Sequence, residues 1–342
     1  MALYRDQLPQ LSGGDYLTDG GLETTLVFHD GIDLPCFAAF PLVMNEDGRE
    51  TLKRYFKPYL ETAAQKNVGF ILDTVTWRTN ADWGRKLGYS AQDLADVQRQ
   101  SVAFADELRE AYATDRTPIV INGILGPRGD GYKADDRMSA EEAEQYHAPL
   151  VEVFRDTATD MISAMTMTYA EEAIGIVRAA QKNGMPVVIS FTVETDGRLP
   201  SGDTLQEAIE KVDDGTRAGP IYYMINCAHP KHFEDALTGN EPWLDRIRGI
   251  RANASALSHA ELDAATELDD GDPAALGLQY RSLRNSLKRL CVLGGCCGTD
   301  HRHIAAICEA CSPVATDKAS TRLRMKVRRT SSGVHIPTHP IT

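Results

Sequence analysis

Two adjacent cysteines, Cys296 and Cys297, stand between glycines in the segment Leu293-Gly294-Gly295-Cys296-Cys297-Gly298-Thr299. Adjacent cysteines seldom close a disulfide with each other, because the dipeptide geometry is strained. Two thiolates on one turn can, however, share a soft metal ion with a third ligand from elsewhere in the chain. Cys227, sixty-nine residues upstream of Cys296, is the candidate third sulfur. Three thiolates plus one open position describe a catalytic zinc site, whereas a structural site is closed by four protein ligands. Zinc keeps coordinated thiols ionised near neutral pH. A substrate thiol in the open position would lose its proton in the same way. That yields a sulfur nucleophile where a free thiol, with a pKa of roughly 8.5, is mostly protonated. The competing reading is a double-cysteine turn buried for packing, with Cys227 unrelated.

For these residues to meet, the chain must carry them to one place. Strands are read at Tyr16 to Asp19, Val68 to Asp73, Pro118 to Asn122, Met161 to Met165, Val187 to Phe191, Ile221 to Asn226, Ile247 to Ala252 and Cys291 to Leu293. Helices are read between them: Thr51 to Asn67, Ser90 to Ala113, a capping box at Ser139-Ala140-Glu141-Glu142, Tyr169 to Lys182, Thr204 to Val212, Pro230 to Leu237, Pro273 to Leu287 and His301 to Ala310. Eight strand–helix units in a row favour a parallel sheet with crossover helices, and at this length a closed single-domain (β/α)8 TIM barrel. The alternative, a doubly wound open sheet, usually carries a glycine-rich phosphate turn after its first strand, and Asp19-Gly20-Gly21-Leu22-Glu23 does not fit that fingerprint. The barrel is assigned to residues 1–312. Residues 313–342, with Lys318, Arg322, Arg324, Lys326, Arg328 and Arg329, read as a basic C-terminal tail or an arm packed on a neighbour.

Working residues of such a barrel lie at the C-terminal strand ends. That rule nominates Asp19, Asp73, Asn122, Asn226 with Cys227, and Cys296 with Cys297. Of the seven cysteines, Cys36, Cys291, Cys308 and Cys311 are read as small buried hydrophobes. Cys308 and Cys311 share a CxxC spacing but fall on a helical run. The 342 residues are 42% hydrophobic with a net charge of −13, which fits a globular chain and argues against nucleic-acid binding by the whole surface. No apolar run reaches the roughly 18 residues needed to cross a bilayer, and the N-terminal stretch lacks a signal-peptide core. A cytoplasmic protein without membrane contact is expected, with a homo-oligomer left open.

Thr18-Asp19-Gly20-Gly21, Ile225-Asn226-Cys227 and Gly294-Gly295-Cys296-Cys297-Gly298-Thr299 together resemble the homocysteine S-methyltransferase family, from about Tyr16 to Ala310. Ser190-Phe191-Thr192 and Gly123 to Pro127 also look like segments of that family. The resemblance implies a (β/α)8 barrel, Zn2+ held by Cys227, Cys296 and Cys297, and methyl transfer from a small donor to homocysteine. Partners would be a small-molecule thiol acceptor and a methyl donor such as S-methylmethionine, a betaine-like compound or another onium. Asp19, Gly20 and Glu23 would shape the acceptor site, with Asp19 as first partner for an ammonium. Asp73 is placed in the substrate site too, and Asn226 would orient the metal turn. An onium cation suits an aromatic face, for which Trp77 is the first candidate and Trp83 the second.

Two positions depart from the family pattern. Strand four of the family commonly ends in Glu-Thr, which helps hold the amino group of homocysteine; here Met165-Thr166 stands in that place. Methionine is a poor partner for an ammonium, so Asp19, Glu23 or Glu194 would have to serve, or the acceptor is a different thiol. Arg78 beside Trp77 would oppose a positive donor unless it points outward or pairs with Asp73, Asp82 or a substrate carboxylate. A non-catalytic zinc or thiol sensor on the same fold is the reading from a different functional class.

Overall fold

The computed structural model describes residues 1–312. Eight parallel strands close on themselves in sequence order: β1 (Tyr16–Leu17), β2 (Gly69–Asp73), β3 (Ile119–Leu125), β4 (Met161–Met167), β5 (Val187–Phe191), β6 (Tyr223–Asn226), β7 (Ile247–Ala252) and β8 (Val292–Gly295). β8 returns to β1 through the pairs Val292↔Tyr16 and Leu293↔Leu17. The (β/α)8 expectation is met, within a compact unit spanning Met1–Cys311. The basic tail expected over 313–342 lies outside the described residues.

The alternation of side chains along a strand sorts the core into two layers. Outward residues such as Phe70 and Leu72 of β2, Tyr223 and Ile225 of β6, and Ile250 and Ala252 of β7 pack under the helices. Inward residues such as Ile71, Val120, Met165, Val188, Met224 and Val292 fill the barrel. The same period places Asp73 and Asn226 inward at the strand ends. It also places Arg251 there, between two outward residues.

Element boundaries differ where capping chemistry lies outside the hydrophobic pattern. The first long helix is Glu46–Lys66, opened by Asn45, whose side chain accepts from the Gly48 N–H at 2.8 Å; Thr51 sits inside it. The helix expected over Thr204 to Val212 extends over Leu205–Thr216. Pro230 to Leu237 is one short helical turn, Pro230–Phe233, followed by a 3-10 turn, Glu234–Leu237. Two short helices, Ala81–Lys86 and His259–Ala264, add to the expected set. β4 runs two residues past Met165, with a register shift between Ala164 and Met167 and Thr166 at φ +63°. Cys36 corrects the reading of a buried hydrophobe: it is exposed, in a left-handed conformation. Cys291 is half-buried, while Cys308 and Cys311 are buried on the helix His301–Cys311, in keeping with their spacing. No helix among the described residues is long and apolar enough to cross a membrane.

Candidate functional site

Cys227 follows β6 directly, and Cys296 and Cys297 follow β8. Barrel closure brings these two turns together, since β6 and β8 flank β7. The Cys227 N–H donates to the Arg251 carbonyl at 3.1 Å and the Cys296 N–H to the Ala252 carbonyl at 2.8 Å, so β7 anchors both turns. Glycine is required at 294 and 295 because a Cβ at either position would run into the hydroxyl of Thr18 or Thr299. Cys227 itself takes φ +55°, a left-handed conformation that costs a residue with a side chain roughly 1–2 kcal/mol.

The three sulfurs all lie within 4.8 Å of one another. Cys227 and Cys296 are in disulfide contact, with their Cα atoms 5.4 Å apart, and Cys297 Sγ lies 3.9 Å from Cys227 Sγ. As three thiolates, this donor set suits a soft divalent ion such as zinc; the disulfide contact must then be open, because only thiolates ligate. Burial pushes the Cys297 thiol up to about 11; a hydrogen bond with Tyr132 lowers it and Glu23 raises it. Protein groups alone therefore leave this thiol protonated at neutral pH, and a bound cation is the natural counterweight.

The cysteines open into a pocket at the C-terminal end of the barrel. Asp19, Gly20, Glu23, Asp73, Trp77 and Asn226, all nominated from sequence, line it together with the three cysteines, and so does Met165. The carboxylates differ in what they are free to do. Arg251, reaching in from β7, donates to Asp19 Oδ1 at 2.5 Å, to Asp73 and to the Gly295 carbonyl. The remaining Asp19 oxygen accepts from the Tyr55 hydroxyl at 3.0 Å, and the remaining Asp73 oxygen from Asn122 Nδ2 at 2.7 Å. Both carboxylates are thus fully engaged. Burial pushes the Asp19 carboxyl up to about 6, against the lowering influence of Arg251. Glu23 is different: it forms no ion pair or hydrogen bond with another side chain among the described residues, and burial pushes it up to about 7.

Other nominated residues take less expected positions. The Asn226 side chain accepts from the Thr166 N–H at 3.0 Å and from Ser190 Oγ at 2.6 Å, and donates to Thr166 Oγ1 at 2.8 Å. It therefore ties together the ends of β4, β5 and β6 beside Cys227. Glu194 faces His259 Nδ1 at 3.0 Å. Arg78 pairs with neither Asp73 nor Asp82. Its guanidinium lies 3.9 Å from the centroids of both Trp77 and Trp83, sandwiched between the two indoles, and burial lowers its pKa to about 10. One face of Trp77, expected to be open to a cation, is therefore already occupied by one. Asp82 accepts instead from Arg85 and Arg128.

Sequence reasoning missed Arg251, Tyr55 and Tyr132. Arg251 had a signal: a cation between the apolar residues Ile250 and Ala252 at the C-terminal end of a barrel strand. Tyr55 lies on the buried face of the helix Glu46–Lys66 and looks like any core aromatic. Tyr132 lies in a loop without periodicity; its hydroxyl stands 3.6 Å from Cys297 Sγ and 3.8 Å from Cys227 Sγ, and burial holds it protonated.

Comparison with known proteins agrees with this geometry. Two curated relatives are the homocysteine S-methyltransferase YbgG of Bacillus subtilis and the betaine–homocysteine S-methyltransferase 1 of Rattus norvegicus. YbgG is 22% identical over 64% of this chain and 74% of its own. The rat enzyme is 23% identical over 71% of this chain and 61% of its own, so the match spans less than two thirds of that relative. The metallated form of the homocysteine methyltransferase MmuM from Escherichia coli superposes with a TM-score of 0.68 at 20% identity, covering 88% of this chain and 98% of that one, which supports the barrel fold. The sequence model of the homocysteine S-methyltransferases matches residues 16–311, and the chain belongs to that methyltransferase family.

Proposed function

We propose that this enzyme is a zinc-dependent S-methyltransferase that moves a methyl group from a small onium donor, such as S-methylmethionine or a betaine-like compound, to homocysteine, giving methionine. The observation that carries this reading is the cluster of Cys227, Cys296 and Cys297 at the mouth of the barrel, with their sulfurs within 4.8 Å of one another. These three residues would hold zinc, whose charge would lower the pKa of an acceptor thiol placed beside them. The chain's remaining work is alignment. The transfer is an in-line displacement: a bond forms between the acceptor sulfur and the methyl carbon, and the bond from that carbon to the donor heteroatom breaks, its electron pair staying with the donor. Acceptor and donor must be fixed on one line. The cavity wall of Trp77, Met165 and Tyr132 supplies the enclosure, and Trp77 is itself pinned by Arg78 and by a bond from its Nε1 to the Met165 carbonyl at 3.4 Å. The test is a panel of methyl donors and small thiols assayed with zinc-loaded, reduced protein. Turnover on homocysteine with stoichiometric zinc is the expected result; zinc without turnover on any pair would leave a sensor.

Within this reading, Glu23 holds the acceptor's ammonium. Asp19 is engaged by Arg251 and Tyr55, Glu194 by His259, and Met165 offers no charge, which leaves Glu23 as the unpaired carboxylate of the cavity. A charge-assisted hydrogen bond contributes about 1.5–3 kcal/mol. Glu23→Gln should therefore raise the KM for homocysteine by roughly 10- to 100-fold, with a smaller effect on kcat; steady-state kinetics above pH 7, where Glu23 is ionised, measure this. An unchanged KM would remove Glu23 from ammonium binding.

A second acceptor, a small thiol without a free ammonium, is favoured by one observation: Met165 lines the cavity where the family commonly has glutamate. Met165→Glu separates the two. If homocysteine is the native acceptor, the added carboxylate should tighten its binding several-fold in calorimetric titration. Unchanged or weaker binding points to the other thiol.

A further inference from the structure

We propose that His259 is the positioning residue of the metal cluster, holding Cys227 in the backbone state from which its sulfur reaches Cys296 and Cys297. This rests on the zinc reading above. At Cys227 the chain leaves the β-ladder halfway. Its N–H still donates to the Arg251 carbonyl, and the next rung runs from the Asn253 N–H to the Ala228 carbonyl at 3.1 Å. The Cys227 carbonyl has no backbone donor among the described residues. It accepts from His259 Nε2 at 2.6 Å, with Thr192 Oγ1 as a more distant donor at 3.4 Å. A left-handed residue that bears a side chain persists where its surroundings over-determine it, and His259 supplies the short bond that does so at Cys227.

The imidazole is itself fixed on its other edge and on its face. Its Nδ1 stands 3.0 Å from Glu194 Oε1, contributed by the loop after β5. The Tyr132 ring stacks on it at 4.1 Å between centroids and 25° between planes. That same tyrosine carries the hydroxyl 3.6 Å from Cys297 Sγ. Loops after β3, β5 and β7 therefore converge on one imidazole that is only 7% exposed, and the imidazole grips the loop after β6. The backbone of His259 is set in turn by Ser258, which with Glu261 forms a capping box at the start of His259–Ala264. Partners that orient metal ligands through a hydrogen bond commonly alter metal affinity by roughly 10- to 100-fold.

The experiment uses the full chain, reduced, and measures zinc affinity by chelator competition and the thiolate-to-cobalt absorption of the Co2+-loaded protein. His259→Ala should weaken zinc binding by roughly 10- to 100-fold and lose the share of that absorption contributed by one thiolate, with the far-ultraviolet circular dichroism retained. His259→Gln keeps an N–H within reach of the Cys227 carbonyl and should recover most of both signals. The proposal is overturned if His259→Ala binds zinc as tightly as the parent, or if His259→Gln is no better than His259→Ala, which would make the residue mere loop packing. A parent chain that takes up no zinc overturns the metal reading as well, so the two failures are distinguishable.

Discussion

Cys296→Ala should abolish zinc uptake and lower methyl transfer to homocysteine by about a thousandfold or more, equivalent to several kcal/mol of lost stabilisation at the transition state. Two sulfurs, Cys227 and Cys297, would remain at 3.9 Å, too few to hold a zinc ion that takes three protein ligands in a catalytic site. The acceptor thiol would then ionise at its own pKa and react as a mostly protonated species near pH 7. The fold should survive. Cys296 is half-buried, its turn is anchored by a backbone bond to Ala252 and by glycines packed on Thr18 and Thr299, and alanine fits the space of the thiol. Zinc content by elemental analysis, thermal unfolding and an assay under reducing conditions check the three parts separately. An active, zinc-free Cys296→Ala protein would end the metal mechanism.

Arg251→Met should be the most destabilising single change in the cavity floor, costing about 3–5 kcal/mol at neutral pH. The guanidinium lies between Asp19 and Asp73, both at least nine-tenths buried, and its removal leaves two carboxylates facing each other with no cation. Methionine restores the volume but not the charge. A drop in Tm on the order of 10 °C follows from the usual relation between free energy and melting temperature for a domain of this size. The deficit should depend on pH with a defined sign. The folded Asp19 carboxyl titrates near 6, above its ordinary value of 3.8, so its contribution favours the folded chain at low pH and is lost as pH rises through 6. Arg251 lowers that pKa; without it the carboxyl moves further up. The gap between variant and parent should widen above pH 6 and narrow on acidification towards pH 4. Adding Asp19→Asn to Arg251→Met should recover part of the loss, since one of the two uncompensated charges is gone. A variant as stable as the parent at pH 8 would show that the pair contributes nothing.

The parts of the site that follow from local chemistry were legible in the sequence. Gly294 to Thr299 and Asn226-Cys227 stand out as two turns that carry sulfur, one of them built on glycines, a donor type suited to a soft metal ion. The barrel follows from eight repeated strand–helix signals, and the period of two along β2 and β6 already points Asp73 and Asn226 inward. Asp19, Asp73 and Asn226, named at the strand ends, reach one cavity for the same reason: a closed barrel gathers its C-terminal strand ends at one rim, with Asn122 standing behind Asp73.

What the residues alone could not show is which of those groups remain free. Whether a carboxylate can take a substrate depends on what else lies within about 3 Å of its oxygens, and for Asp19 and Asp73 that is Arg251, far away in the chain. Trp77 is aromatic in any reading, but only the packing of Arg78 against it shows that one face is already covered. Tyr132 lies in a loop and His259 opens the short helix His259–Ala264, neither marked by periodicity, and their meeting over Cys227 exists only once the barrel has closed. The barrel and the three sulfurs could be read from the chain unaided, because ligand type and strand period are local properties. That Glu23 is the open carboxylate, and that Cys227 is held from outside its own strand, emerged only from the folded molecule, because pairing and burial are properties of the neighbours.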